Sequence, residues 1–320
     1  MRSWGFGLLL ALAALPAHAL DIEGHRGARG LAPENTLAAF ARALSIGVTT
    51  LELDTAVTKD GMVVISHDVV LNPNITRANG QWLDAAGPAI VTLSYDDLAQ
   101  YDVGRIKPGT RYAETFPEQR PADGARIPKL AELFALVDKS GNRSVKFNIE
   151  IKTDPRKPHE TLAPIAHADH LIHAIRAGGM LSRASIQSFD WRGLRHVQQV
   201  APDIPTVCLT VQQSWLDNLT DGLWTAGKKL KEHGGSIPRL VRATRCKVWS
   251  PYFKEVNEKL VREAHLQQLK VVVWTVNEPR DMGAVLSMGV DGIITDRPDL
   301  LRQVMTDNGL PQPKPTPVTP

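Results

Sequence analysis

The sequence predicts an α/β fold of the (β/α)8 TIM-barrel type, with an insertion after the second strand and a β-hairpin that carries His67. Three observations predict it. Strand-like segments alternate with helical patterns along nearly the whole chain, which argues for parallel strands joined by helical crossovers. Eight such units can close on themselves, and about 300 residues is a common length for that barrel as one domain. The ionisable residues that stand out also fall at strand ends, where such a barrel gathers its functional groups.

Residues 1–19 read as a secretory signal. Arg2 supplies the positive start, 6–15 the apolar stretch, and Ala17-His18-Ala19 a small-x-small cleavage site before Leu20. The apolar run is too short to span a bilayer, so the mature chain is expected to be exported, periplasmic or secreted, with no stable membrane anchor. The barrel domain is expected over 20–305.

The strands are expected at 22–25, 50–54, 145–151, 184–188, 206–210, 247–250, 270–275 and 292–295, with helices at 36–46, 130–139, 191–200, 255–268 and 280–288 among the crossovers. In the first helix Asn35 or Thr36 caps the opening turn. Leu37, Phe40, Ala41 and Leu44 make one apolar stripe, and Gly47 ends it.

Residues 62–67 look like a further strand, but only Thr58-Lys59-Asp60-Gly61 separates them from the second strand. No crossover helix fits that gap, so the pair is read as an antiparallel hairpin turning near 59–61. That register returns His67 to the level of Leu53 and Asp54. Residues 68–128 then form a long, mostly polar insertion rich in Pro and Gly, expected to roof the site. A second excursion, 212–245, is expected to hold a helix around 215–231, and the Pro-rich end, 306–320, to be extended and disordered. The two cysteines, Cys208 and Cys246, fall in neighbouring strands, where they either bridge or remain small buried hydrophobes.

Glu52 and Asp54 in L-E-L-D are two residues apart, as are Glu150 and Lys152 in I-E-I-K, and in a strand that spacing puts both members on one face. Leu51, Leu53, Ile149 and Ile151 then face covering helices. Carboxylates on the opposite, enclosed face are costly to bury unless they bind a cation. Glu52, Asp54 and Glu150 offer only hard oxygen ligands, which suit one divalent cation, Ca²⁺ or Mg²⁺, better than Zn²⁺. His25 and His67, beside this trio, are the candidate general acid and base. Arg26 and Lys152 are expected either to hold an anionic substrate or to orient the ligands as ion pairs. Trp274 either packs on substrate or fills the barrel mouth. His159, His167, His170 and His173 look like a second metal site by spacing, but no strand end or carboxylate trio supports them, and a solvated helix face is the better expectation.

Six segments, in order and spacing, resemble the glycerophosphodiester phosphodiesterase family, of exported bacterial type. They are H-R-G-x5-P-E-N-T at 25–36, E-L-D-T-A-V-T-K-D-G at 52–61, V-V-I-S-H-D at 63–68, E-I-K at 150–152, W-T-V-N at 274–277 and G-I-I-T-D-R-P at 292–298. The resemblance implies metal-dependent hydrolysis of small-molecule glycerophosphodiesters to glycerol 3-phosphate and an alcohol. His25 and His67 would then act across the phosphorus and Trp274 lie against glycerol, with the glycerol 2-hydroxyl as one candidate first attacker. The insertion shows no compact set of charged or aromatic residues to read the leaving alcohol, so weak headgroup discrimination is expected.

An alternative is a phospholipase D-like enzyme acting on lysophospholipid or sphingomyelin, which would need an exposed apolar rim at the barrel mouth. The polar insertion favours a soluble substrate instead. A non-catalytic binding protein would be expected to lack at least one of His25, His67, Glu52, Asp54 and Glu150, and all five are present. The formal charge of +3, or +2 without Arg2, comes with no long basic blocks, so no nucleic-acid partner is expected; the oligomeric state is left open.

Overall fold

The structure, a computed structural model, describes residues 20–320; the signal-like segment 1–19 lies outside the described residues. Eight parallel strands form the barrel wall: β1 (Asp21–Gly24), β2 (Thr50–Val57), β4 (Lys146–Ile151), β5 (Ala184–Ser188), β6 (Thr206–Thr210), β7 (Val248–Pro251), β8 (Lys270–Val273) and β9 (Gly292–Thr295), while β3 (Val63–Ile65) lies outside the wall. β1 pairs with β2 on one side and β9 on the other, which closes the cylinder as a (β/α)8 TIM barrel.

Helices cover it: α1 (Leu37–Ile46), α2 (Leu130–Lys139), α3 (Pro164–Ala177), α4 (Trp191–Val200), α5 (Ile237–Ala243), α6 (Glu258–Leu266), α7 (Pro279–Ser287) and α8 (Pro298–Asp307). Their starts are chemically marked. Thr36, Asp190, Ser236 and Asn257 accept N–H bonds in the first turns of α1, α4, α5 and α6, and Pro opens α3, α7 and α8.

Every residue of β2 is buried, yet the strand alternates in chemistry. Leu51 and Leu53 join Phe147, Ile149 and Ile151 of β4 in the apolar layer beneath the helices. Truncating one such leucine to Ala typically costs about 2–5 kcal/mol. Glu52 and Asp54 project to the barrel interior, level with Asn148 and Glu150 of β4. The pairing of β1 with β2 ends at Leu51, so the free edge of β2 beyond it takes β3 antiparallel, with Thr55 opposite Ile65. Ser66 N–H then donates to the Asp54 carbonyl at 3.0 Å, which delivers His67 to the rim as the short turn requires.

Between β3 and α2 the chain makes a long excursion with a small apolar cluster of its own, built on Val64, Leu71, Ile90, Leu98, Val103 and Ile127. The second excursion differs from expectation. Residues 215–231 form no α-helix; a two-stranded turn, Gln212–Gln213 with Leu216–Asp217, comes first, a single 3-10 turn follows at Leu230–His233, and the α-helix of this segment is α5. The Asp217 side chain accepts from Leu219 and Thr220 N–H, Asp221 accepts from Leu223 N–H, and Asn218 accepts from Val211 N–H. These local bonds satisfy the backbone in turns and compete with a helix.

The chain end also differs. α8 runs to Asp307, and the Pro-rich segment after it is extended but docked rather than disordered. Arg302 donates to the Pro313 carbonyl at 2.7 Å, Thr316 N–H donates to the Leu44 carbonyl at 2.9 Å, and Val318 packs on the core. Gly47 leaves room for this strap, since a Cβ there would stand 2.8 Å from the Pro313 oxygen. Cys208 and Cys246 are bridged, with Cα atoms 5.9 Å apart.

Candidate active site

The carboxylate trio forms because three strand positions share one parity, with Asp54 level with Glu150 and Glu52 one row below. Glu52, Asp54 and Glu150 are all buried, and one oxygen from each lies within 4.8 Å of the others. Lys152, immediately after β4, places Nζ 2.9 Å from Glu150 Oε1 and 3.5 Å from Asp54 Oδ1. Arg26 places Nε 3.3 Å from Asp54 Oδ2 but gives Nη1 to Glu34 at 2.6 Å. Glu52 has no cationic side chain at hydrogen-bond distance; its oxygens accept from Arg26 N–H at 2.9 Å and Gln187 Nε2 at 2.7 Å.

The charges respond accordingly. Burial and the adjacent Asp54 push Glu52 well above the ordinary carboxyl range, and burial pushes Glu150 up to about 7 against the pull of Lys152. Burial would raise Asp54 too, but Lys152, His67 and Arg26 together hold it well below its usual range. Three enclosed carboxyls with two cations favour protonation of part of the set. A divalent cation would remove that need, and an all-oxygen donor set of this spacing fits one. The residues that could hold it are Glu52, Asp54 and Glu150.

The turn after β1 is tightly built. Arg26 has φ 50° and Asn35 φ 56°, left-handed conformations that cost of order 1–3 kcal/mol for side chains other than Gly. Their return is at the trio, where Arg26 N–H meets Glu52 and Asn35 Nδ2 donates to Asp54 Oδ2 at 3.0 Å. Gly27, with φ 87°, lies so close to Ala39 that a Cβ would fall 2.8 Å from the Ala39 Cβ, so the turn folds flat on α1.

Each histidine has a carboxylate at Nδ1. His25 Nδ1 is 2.7 Å from Asp296 Oδ1, and Asp296 also takes two bonds from Arg29 and one from Asn277. Burial would raise Asp296, yet Arg29 and His25 keep it ionised, well below the usual carboxylate range. An ionised carboxylate only accepts, so Nδ1 carries the proton and Nε2 is the free lone pair. Burial lowers His25 to about 4 despite Asp296, so its imidazole is neutral at pH 7. His67 Nδ1 lies 2.8 Å from Asp68 Oδ1, while Asn72 donates to the other Asp68 oxygen. Burial, then Arg26 and Lys152, lower His67 as well.

All eight residues singled out from the sequence line one cavity of about 790 Å³, so the structure brings the whole set together. Trp274 lines the cavity and is anchored there, donating Nε1–H to the Ser250 carbonyl at 2.9 Å. The remote histidines behave differently. His159, His170 and His173 are exposed, but His167 is buried against β2 with Nε2 3.1 Å from Thr55 Oγ1, so it is not part of a solvated face. Among the described residues the candidate ligand group is the carboxylate trio, and none of these histidines joins one.

Sequence reasoning left Asp296, Asp68, Glu34 and Gln187 without roles and gave Asn35 only a capping one. All but Gln187 lie inside or beside the motifs that were legible, and that adjacency was the available signal. It also missed an aromatic wall. The insertion lines the cavity with Val69, Val70, Leu71, Pro73 and Ala86, and rings line it elsewhere: Phe189, Trp224, Trp274 and Trp215, the last at the tip of the 212–217 turn and 58% exposed. Trp274 meets Phe189 edge-on at 5.3 Å, and Trp215 stands 6.3 Å from Trp274.

Comparison with known proteins agrees with this geometry. Residues 25–300 match the family described as the glycerophosphoryl diester phosphodiesterase family. The chain is 30% identical over 287 residues to a protein of Caldanaerobacter subterraneus subsp. tengcongensis named glycerophosphodiester phosphodiesterase, covering 89% of this chain and 97% of that one. It is 27% identical over 288 residues to a Bacillus subtilis protein of the same name, covering 88% and 84%. A solved structure from Silicibacter pomeroyi DSS-3 superposes with TM-score 0.82 at 35% identity, over 92% of this chain and 96% of that one.

Proposed function

The chain belongs to the glycerophosphoryl diester phosphodiesterase family, and on that premise we propose that it hydrolyses glycerophosphodiesters to glycerol 3-phosphate and an alcohol. The observation that carries the reading is the paired histidines. Each has Nδ1 committed to a carboxylate and Nε2 left for chemistry, and both line the cavity that holds the carboxylate trio.

In this reading one neutral imidazole accepts the proton of the attacking hydroxyl at Nε2, and the other, entering as the imidazolium with a proton on Nε2, gives that proton to the leaving oxygen as the phosphorus–oxygen bond to the alcohol breaks. The attacking hydroxyl is either water, which gives glycerol 3-phosphate directly, or the 2-hydroxyl of the glycerol moiety, which gives a cyclic phosphate that water then opens to glycerol 3-phosphate. Lys152 and the cavity face of Arg26 offset the phosphodiester charge, while Arg26 also spaces Glu34 from Asp54. A divalent cation on Glu52, Asp54 and Glu150 would supply electrostatic stabilisation of the charge that builds on phosphate oxygens. Asp296 and Asp68 hold the two imidazole tautomers.

The test is product analysis with glycerophosphocholine and added Mg²⁺ or Ca²⁺. Glycerol 3-phosphate and choline are expected. Phosphocholine with glycerol, or no turnover with either cation, would overturn the proposal.

A second reading has its own support. The outer part of the cavity pairs Trp215 and Phe189 with Val69, Val70 and Pro73 on the insertion side, an apolar rim of the kind a lysophospholipid acyl chain would contact. Among the described residues no helix is long and apolar enough to cross a membrane. We also propose that the chain is exported, on the strength of the small-x-small signal pattern and the bridged cysteines, since disulfides persist in oxidising compartments.

A further inference from the structure

Beneath the carboxylate trio, inside the barrel, a run of side-chain hydrogen bonds leads from β1 to Glu52. Asn148 Nδ2 donates to Glu23 Oε2 at 2.8 Å and to Gln187 Oε1 at 2.9 Å; Gln187 Nε2 in turn donates to Glu52 Oε1 at 2.7 Å. Ser185 Oγ lies 3.1 Å from Asn148 Oδ1 and donates to it. Glu23, Asn148, Gln187 and Glu52 are all buried. Barrel interiors of this class are filled mainly by branched apolar side chains, so this polar layer replaces packing that would otherwise be straightforward.

The bonds have a direction. An amide offers a carbonyl on one side and two N–H donors on the other, and a flip of Gln187 would set its carbonyl against the Glu52 carboxylate, acceptor to acceptor. Asn148 prevents that flip by donating to Gln187 Oε1. Asn148 is itself held by an acceptor, Glu23, and a donor, Ser185, on its two ends. Burial, with Asp21 adding, pushes the Glu23 carboxyl up to about 8, so at neutral pH it accepts from Asn148 without placing a full fourth negative charge below the trio. The other Glu52 oxygen is held by Arg26 N–H.

We propose that Gln187, backed by Asn148 and Glu23, is a positioning relay that fixes the Glu52 carboxylate in the orientation that binds the divalent cation. The relay rests on the reading of Glu52, Asp54 and Glu150 as the cation site. Gln187, Asn148 and Glu23 act through Glu52, and outer partners of metal ligands typically contribute about 10–100-fold in metal affinity.

The experiment is calorimetric titration of the metal-free protein with Mg²⁺ and with Ca²⁺, alongside metal-free thermal melting, for the wild type, Gln187→Leu, Glu23→Leu and Glu23→Gln. Gln187→Leu is expected to weaken cation binding about 10–100-fold. Glu23→Leu, which frees Asn148 two bonds away, should weaken it by less, and Glu23→Gln, which keeps an acceptor, should bind nearly as the wild type. Glu23→Leu carries the test if Gln187→Leu does not fold. Unchanged affinity in Gln187→Leu and Glu23→Leu, with or without a lowered metal-free melting temperature, would reduce the network to packing and overturn the relay while leaving the proposed function standing. A wild type that binds neither cation would overturn both.

Discussion

Asp296 Oδ1 lies 2.7 Å from Nδ1 of His25, although 271 positions separate the two residues in the chain. The contact exists because β9 is the neighbour of β1, with Gly24 opposite Thr295, so the residues that follow each strand emerge side by side. Asp296 accepts from His25, Arg29 and Asn277 together, which leaves it little freedom to do anything but hold the imidazole.

Asp296→Asn is therefore expected to lower kcat by about 10²–10⁴-fold, close to the loss from removing the imidazole, with KM changed by less than about threefold. An amide at this place can donate to Nδ1 and favour the wrong tautomer. Steady-state kinetics on glycerophosphocholine would check it, and a rate within tenfold of wild type would remove Asp296 from the mechanism.

His25→Ala and His67→Ala should each lose about 10²–10⁴-fold in kcat while binding the cation within a few-fold of the wild type, because neither imidazole is among the trio's oxygens. The decisive measurement is calorimetric cation binding of both variants next to their rates. A variant that loses the cation along with the rate would mark its histidine as a ligand.

Chelation is expected to abolish turnover, with Mg²⁺ or Ca²⁺ restoring it better than Zn²⁺, given three oxygen ligands and no thiolate. Full activity in protein shown by elemental analysis to be metal-free would exclude this role for the trio.

His167 gives a prediction about acid stability. Burial, with His170 adding to it, lowers His167 from the ordinary 6.5 to about 3 in the folded protein. Below about 6.5 the unfolded chain therefore binds a proton that the folded chain refuses; stability is intact above that pH and falls as pH drops toward 3. The loss is on the order of 2 kcal/mol between pH 8 and pH 5. Urea unfolding of wild type and His167→Gln at both pH values should show the smaller drop in the variant. Equal drops would mean that this histidine titrates normally.

The alcohol side of the cavity is read by substrate comparison. Trp215→Ala should leave kcat/KM for glycerophosphoethanolamine within about threefold and reduce that for a lysophospholipid at least tenfold, since the exposed ring can matter only to a substrate long enough to reach it. Equal losses on both would withdraw the acyl-chain reading.

Much of this site was legible because a strand's parity is local. Glu52 and Asp54 flanked by Leu51 and Leu53 tell, within four residues, which face is enclosed, and the Thr58–Gly61 gap is too short for anything but a hairpin. What the sequence hides is what depends on distant neighbours. The pairing of His25 with Asp296 needs the closed barrel. Residues 215–231 carry helix formers, and side chains at Asp217, Asn218 and Asp221 decide against them. Proline content marks the tail as extended, but whether it floats or docks depends on Leu44, Lys139 and Asn142, far away in the chain.

The first and last strands are neighbours, and that placement governs when the enzyme comes into being. A chain emerging from synthesis can pair β2 with β4 early, but the β1–β9 seam waits for residues 292–295 to arrive. The His25–Asp296 bond straddles that seam, and the strap from Arg302 to Thr319 is laid over α1 and α2 only afterwards. Contacts of such long sequence separation form late and slowly. Catalytic competence should therefore trail helix content during refolding, and the enzyme's own turnover becomes a clock for ring closure.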